Sequence, residues 1–252
     1  MIPLLFIGPL LADIVLNLSP VPWVVELSFV VLIGGGYSAA LLFLSRPSMR
    51  FDPALLSMRD LVLLMLVAAA SAAFVASSYV AVATFAGMLP IKDFAAATLR
   101  YWVGDMIGNM VVTPFAMIAL TRDHVLRMSL ETLLQFAAII GALALVLYAE
   151  EQRFQLFYFL FLPIVWMAVR AGLEGVSAGI VITQVGLIVG VMVFPAGGHN
   201  VTGLQILMLV LSATGLVAGE LVTERRRTDS RLRLHQESLS RVTRLGSMGE
   251  LD

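Results

Sequence analysis

The 252-residue chain contains no cysteine and few charged residues, and each shortage excludes a class of protein. Without cysteine, the chain can form neither disulfides nor thiolate metal sites. Its three histidines are scattered, so we expect no metal site, and no set of residues indicates catalysis. The chain does not open on a basic region followed by a small-residue cleavage site, so no signal peptide is predicted.

Only 13% of the residues are charged and 60% are apolar, with a mean hydropathy of +0.95, which excludes an ordinary soluble domain. The sequence predicts an all-α, polytopic transmembrane helix bundle of about eight spans, because a span needs about 20 apolar residues. The predicted spans are residues 2–18, 22–44, 59–88, 100–120, 130–148, 156–171, 173–194 and 201–222. The first span is short and begins abruptly, so we expect the natural N-terminus to lie upstream.

The positions of the basic residues predict the orientation of the bundle. With eight spans, most basic loop residues share one side with the arginine-rich segment after residue 222, and this side should be cytoplasmic. These residues are Arg46, Arg50, Arg59, Arg122, Arg127 and Arg170. Lys92 and Arg153 fall on the other side, and Arg100 lies near it. Both termini are therefore predicted to be cytoplasmic.

A polar ridge lies in the fourth predicted span. Tyr101, Asp105 and Asn109 are four residues apart, so they share one helix face. A carboxylate in the hydrocarbon costs about 2.5–3.5 kcal/mol, so Asp105 should face a partner or a water-filled cavity inside the bundle. Gly104 and Gly108 form a small-xxx-small pair beside this ridge, where another helix is expected to approach closely.

Other polar residues within apolar runs extend this list. The candidate polar core comprises Asp13, Glu26, Arg100, Trp102, Asp105, Asn109 and Gln184. Its carboxylates allow two interpretations: contacts that fix helix register, or a pocket that binds a ligand or senses ions or protons. Residues assigned to helix packing are Gly104, Gly108, Pro114, Pro163, Trp166, Arg170 and Glu174. Arg170, Glu174 and Glu220 are expected near the inner membrane interface.

The composition changes after Val222, which predicts a boundary between a membrane bundle (1–222) and a cytoplasmic helix (223–252). The stretch from Thr223 to Glu250 has no proline, so it should continue the last span as one helix. Coiled-coil spacing and the apolar face after it predict a homodimer through Leu232, Leu239, Val242, Leu245 and Met248. The alternative is a basic helix lying on anionic lipid, which the arginines at 225–227 fit.

Two stretches resemble known families. The stretch from Gln236 to Leu251 resembles the entry into the dimerisation helix of bacterial sensor histidine kinases, and its most specific part is the run Leu-Gly-Ser-Met-Gly-Glu-Leu at 245–251. The resemblance implies a phosphoacceptor histidine beyond Asp252, because His235 is upstream and does not match it. It also implies a kinase half that uses ATP and Mg²⁺, a response regulator as partner, and a location in the bacterial inner (plasma) membrane.

The membrane region resembles the first type of membrane-associated sensor (MASE) domain. The matching residues are Trp102, Gly104, Asp105, Gly108, Pro114, Leu162, Pro163, Trp166, Arg170 and Gly172. An early Trp-Pro-type segment usual in the family is not seen here, which supports an upstream N-terminus. The resemblance implies sensing of an unknown small-molecule or membrane-borne stimulus.

Together these features predict the transmembrane input region of a two-component histidine kinase, with no cofactor and no nucleic acid bound to this part of the protein. The last span would relay the stimulus to a dimeric cytoplasmic helix. The alternative functions are a transporter or channel with a polar intramembrane site, and a purely structural anchor for a cytoplasmic dimer.

Overall fold

The computed structural model describes residues 22–121, 129–148, 156–193 and 201–248, and within these ranges it contains helices and no strand. The long helices are α1 (Trp23–Leu44), α2 (Met58–Phe85), α3 (Phe94–Thr121), α4 (Leu130–Tyr148), α5 (Phe161–Val193) and α6 (Val201–Met248). Short 3-10 helices, Ile91–Asp93 and Phe157–Leu160, precede α3 and α5. The described part has six helices that are long and apolar enough to cross a membrane, which confirms the all-α, multi-pass prediction. The first predicted span and Asp13 lie outside the described residues.

Helix α5 is broken at Gly172, where φ is 64° and ψ is −153°, a backbone region that essentially only glycine adopts. The chain reverses direction there. A Cβ atom built on Gly179 would lie 3.3 Å from Ile164 Cδ1, although 15 residues of unbroken helix would separate the two by about 22 Å. The two halves of α5 therefore form a helical hairpin, and its turn falls at the residue between the sixth and seventh predicted spans.

The helices pack as two groups that meet at α3. Helices α1, α2 and α3 pack in sequence order, while α4 packs on α5 and α5 packs extensively on α6. Helix α3 also contacts α5 and α6, so it joins the two groups. The buried core runs through both groups and includes Leu61 of α2, Ile107 of α3, Ile164 of α5 and Leu216 of α6.

The two ends of the bundle differ in composition. We define the arginine end as the loop 45–57, the start of α4, the Gly172 turn and residues 220–231 of α6. Aromatic side chains mark the opposite end: Trp23, Phe85 and Tyr148 are 74%, 92% and 92% exposed where α1 begins and where α2 and α4 end. Exposed aromatic residues are typical of the level of the lipid headgroups. The placement of Arg59 and Arg170 at the arginine end agrees with the predicted alternation, whereas Arg122 and Arg127 lie outside the described residues.

Close helix packing occurs at glycines other than the pair predicted in α3. A Cβ atom on Gly108 would meet no described atom within 4 Å, and one on Gly104 would meet only Gln205 Nε2, at 3.8 Å. By contrast, a Cβ atom on Gly219 of α6 would lie 2.5 Å from Val176 Cγ1 of α5. The described helices therefore make no close approach at Gly104 and Gly108, and the expected one stays a prediction. A small-residue pair permits a close approach, but the neighbouring helices decide whether one occurs.

The remaining residues assigned to packing also have definite positions. Pro114 is buried inside α3, and Pro163 and Trp166 line a shallow groove between α4 and the first half of α5. Arg170 forms a two-pronged ion pair with Glu131 at the start of α4: Nη2 lies 2.8 Å from Oε2, and Nε also donates to the carboxylate. Glu174 lines a pocket beside α6.

Candidate functional site

Asp105 lies between α1 and α3 and forms a hydrogen bond with a tyrosine. The hydroxyl of Tyr37, on α1, donates to Asp105 Oδ2 and accepts from Asn109 Nδ2 at 3.2 Å. All three side chains are half-buried. Asp105 and Asn109 are one turn apart on α3, as the spacing predicted, so both reach the same hydroxyl. The Asp105 carboxylate thus has a partner inside the bundle, as expected from the free-energy cost of placing a carboxylate in the hydrocarbon.

An aromatic stack adjoins this polar cluster. The rings of Phe29, Tyr79 and Tyr101 come from α1, α2 and α3, with successive centroids 4.0 and 4.5 Å apart. Tyr101 is one turn before Asp105 on the predicted ridge. Stacked aromatic pairs contribute about 0.5–1.5 kcal/mol each beyond the area that they bury. The stack therefore fixes the separation of the three helices that surround the cluster.

Trp102 joins α3 to α2 by a hydrogen bond from Nε1 to the carbonyl oxygen of Ala69, at 3.0 Å. The side chain also packs against the buried core. This geometry assigns Trp102 to helix packing beside the polar cluster, because its indole does not bond to the cluster itself.

Replacing Trp102 with phenylalanine should lower the free energy of unfolding by about 1 kcal/mol, because the aromatic packing is largely kept and one interhelical hydrogen bond is lost. Equilibrium unfolding of the purified chain in mixed detergent micelles measures this change. The exposed Trp23→Phe change is the control and should alter stability by less than about 0.5 kcal/mol. Equal effects of the two changes would contradict a role for the Trp102 bond.

Other predicted core residues lie apart from the cluster. Glu26 is half-buried on α1, on the same face as Tyr37 and about three turns away. Arg100 is exposed and its Nε donates to the Ala96 carbonyl of its own helix at 3.3 Å, so it does not join the cluster. Gln184 lies in the second half of α5, with Nε2 4.0 Å from Met208 Sδ of α6.

The second notable region is the contact of α6 with the Gly172 turn. Thr223 Oγ1 accepts a hydrogen bond from the Leu173 amide at 2.9 Å and donates to the Gly219 carbonyl at 2.8 Å. Arg226 donates to the carbonyls of Val169 and Arg170, at 2.8 and 3.1 Å. The first amides and the last carbonyls of a helix have no partner within that helix. The Leu173 amide and the carbonyls of Val169 and Arg170 are groups of this kind. Residues 223–226 of α6 therefore cap both halves of the α5 hairpin, and we call this contact the hairpin latch.

Arg227 ties the same part of α6 to the other helix group. Its Nη1 donates to the carbonyl of Leu56, just before α2, at 2.6 Å and lies 3.7 Å from Glu220 Oε1. Glu220 is 0% exposed, so other helices cover its carboxylate, and its place near the inner membrane interface stays a prediction. Arg227 therefore lies beside a buried carboxylate.

Sequence reasoning missed several of these residues. Tyr37 follows three glycines in a long apolar run. A phenolic hydroxyl in such a run needs a hydrogen-bond partner, so it could have been predicted to join the polar residues of α3. Thr223 and Arg226 stand at the predicted boundary, where the sequence assigned them only to the start of the cytoplasmic helix (223–252). Within the described ranges, no group of three or more histidine, aspartate or glutamate side chains could hold a metal ion. The arrangement is instead a set of hydrogen bonds between helices, which can form or break as the helices shift.

A comparison with protein families agrees with this architecture, whereas two other comparisons found nothing similar. A search of curated proteins and a search of solved structures found no match. The family model MASE1 matches residues 2–226, which covers most of the chain and includes both the polar cluster and the hairpin latch. MASE1 is a membrane-associated sensor domain with several spans, which fits the helices described above. The chain therefore belongs to the MASE1 family of membrane-associated sensor domains.

Proposed function

We propose that this chain is the membrane input region of a sensor histidine kinase, and that α6 carries the signal from the bundle to the cytoplasm. The observation that carries the proposal is the hairpin latch: α6 continues without a break from Val201 to Met248 and is bound to the α5 turn by Thr223 and Arg226. A movement of α5 relative to its neighbours must therefore displace α6 or break these bonds.

The polar cluster is the proposed origin of the signal. Tyr37 and Asp105 connect α1 to α3, and α3 contacts both α5 and α6. A stimulus that binds one packing of these helices more tightly than another shifts the population toward that packing. If the two packings differ in the Tyr37–Asp105 bond, the shift reaches α6 through the α3 contacts and the latch.

The proposed arrangement has eight spans with both termini in the cytoplasm, so that the arginine end is the cytoplasmic end of the bundle. Residues 223–248 of α6 then project about 40 Å beyond the membrane. A homodimer would form through Leu232, which is 57% exposed, and through Leu239, Val242, Leu245 and Met248 at the same spacing. ATP and Mg²⁺ would act in the kinase half, which would transfer phosphate to a response regulator.

The main test replaces the bundle (residues 1–222) in the full-length protein with an inert spanning helix joined in register to residue 223. A sensor predicts that kinase output no longer responds to conditions that change it in the native protein. Retained regulation would identify the bundle as a passive anchor. Flux of solutes or ions in proteoliposomes, well above that of empty liposomes, would instead favour a transporter or channel.

The hairpin latch gives a sharper prediction. Thr223→Val keeps the side-chain shape but removes the acceptor for the Leu173 amide, so the range of kinase output between stimulated and unstimulated states should fall about tenfold, as expected for a loss of about 1.4 kcal/mol in coupling. Phosphorylation assays on the full-length protein measure this range.

The matched control is Thr228→Val. Thr228 lies on the same helix, and its hydroxyl donates only to the Glu224 carbonyl of that helix, at 3.0 Å. This change should leave the range of output within about twofold of the native value, since surface changes of this kind alter energies by at most about 0.5 kcal/mol. An equal loss in both variants would show that the latch does not carry the signal.

A further inference from the structure

A basic pocket lies beside the hairpin latch, outside the polar cluster. It has a volume of about 440 Å³ and is lined by Ala171, Gly172, Glu174, Thr223, Arg226, Arg227, Ser230 and Arg231. The volume falls within the roughly 300–1,000 Å³ that is usual for small-ligand sites. One wall is the turn of the α5 hairpin and the other is the first turns of α6 beyond the membrane.

The charge of the lining favours an anion. Three arginines and one glutamate line the pocket, and one of these arginines, Arg227, lies 3.7 Å from Glu220, so an excess of one positive charge remains. The two hydrogen bonds of Arg226 to Val169 and Arg170 go to neutral backbone carbonyls, which use two of its five N–H donors and leave its charge in place. Arg231 is exposed and makes no hydrogen bond or ion pair to another residue in the described part of the chain. Ser230 adds a hydroxyl on the same side.

We propose that this pocket binds a phosphate group, carried by the headgroup of an anionic phospholipid or by a soluble phosphate ester. Guanidinium groups match the geometry of phosphate oxygens and bind them with two parallel hydrogen bonds. The position of the pocket, where α6 leaves the predicted membrane region, is the level at which lipid phosphates lie. Basic pockets between spans at this level are suited to anionic headgroups.

Phosphate in this pocket would strengthen the hairpin latch. The bound group would contact Arg231 and Ser230 of α6 together with Arg226, which already caps the carbonyls of Val169 and Arg170. Occupancy would therefore favour the state in which α6 is held against the α5 turn. This consequence for signalling rests on the proposed function, whereas binding itself does not.

The test uses the full chain in nanodiscs that contain phosphatidylglycerol and phosphatidylcholine. Native mass spectrometry counts the anionic lipids that remain bound as detergent strips the annulus. Arg231→Gln should lower retention of phosphatidylglycerol at least about tenfold, the effect expected when a hydrogen bond between charged groups is lost. Arg225→Gln is the matched control, because Arg225 is exposed on the same helix and does not line the pocket.

A second variant distinguishes binding in the pocket from the general attraction of anionic lipid to a basic surface. Ser230→Phe fills the pocket without changing the net charge and should lower retention as much as Arg231→Gln. Thermal unfolding of each variant in phosphatidylcholine alone confirms that the fold is intact. Equal retention by the Arg231 and Arg225 variants, or normal retention by Ser230→Phe, would overturn the site.

A further experiment decides whether the phosphate group belongs to a lipid headgroup or to a soluble phosphate. Inorganic phosphate and glycerol phosphate are titrated into phosphatidylcholine nanodiscs, and the unfolding temperature is followed. Stabilisation that the Arg231→Gln variant lacks, without selective lipid retention, assigns the pocket to a soluble phosphate. Selective retention of phosphatidylglycerol without this stabilisation assigns it to the lipid. If the native chain shows neither selective lipid retention nor stabilisation by phosphate, the proposal is refuted.

Discussion

Replacing Gly172 with alanine is expected to destabilise the bundle by about 2–4 kcal/mol. The φ and ψ of this residue cost an ordinary amino acid about 1–3 kcal/mol of backbone strain. The new methyl group would also collide with the Thr223 hydroxyl, so the bond from the Leu173 amide to that hydroxyl would be lost, which adds about 1 kcal/mol. Equilibrium unfolding in mixed micelles measures the sum.

Two comparisons make this prediction specific. Gly108→Ala is the matched control, because a Cβ atom there meets no described atom within 4 Å and alanine suits a helix better than glycine, so stability should stay the same or rise by up to about 1 kcal/mol. Adding Thr223→Ala to the Gly172 variant removes the collision but keeps the strain. A Gly172→Ala protein as stable as the native chain would mean that the α5 hairpin does not turn at this residue.

If the proposed function is right, replacing Asp105 with alanine in the full-length protein should change kinase output about tenfold and leave the proposed homodimer intact. The change removes the acceptor of the Tyr37 hydroxyl. A hydrogen bond to a charged group is worth about 1.5–3 kcal/mol, and 1.4 kcal/mol already shifts a two-state equilibrium tenfold. Autophosphorylation of the protein in membranes measures the output, and crosslinking between copies of the predicted cytoplasmic helix (223–252) measures dimerisation.

Tyr37→Phe breaks the same bond from the other side, so it should reproduce the Asp105→Ala phenotype, and the double variant should add little to either single change. Ser28→Ala is the control on α1, because the Ser28 hydroxyl donates only to the Val24 carbonyl of its own helix, at 2.8 Å. Unchanged output from the Asp105 variant at normal expression would remove this carboxylate from the mechanism.

The helical spans were predictable because hydropathy is a local property. An apolar run long enough to cross the bilayer must become a helix there, since lipid offers the backbone no hydrogen-bond partners. The same local reasoning separated the two halves of α5 at Gly172 and continued α6 beyond Val222. It misjudged the start of α3, which begins at Phe94, six residues before the predicted span.

The partners of the polar residues were not predictable in the same way. The spacing placed Asp105 and Asn109 on one face of α3, but Tyr37 is 68 residues away along the chain from Asp105. Similarly, Arg170 pairs with Glu131, 39 residues away, and Glu220 is fully buried beside Arg227. Each outcome depends on how the helices rotate about their axes and which of them become neighbours.

By itself, the sequence determined that the chain crosses a membrane, where α5 reverses, and that a carboxylate in α3 needs a partner. These features follow from transfer free energies and backbone sterics, which act within a few residues. Only the tertiary structure decided that Tyr37 is that partner, that Gly219 rather than Gly108 lies at a close helix contact, and that Thr223 and Arg226 cap the α5 hairpin. The physical reason is that these contacts join segments far apart in the chain, so they exist only once the helices have packed.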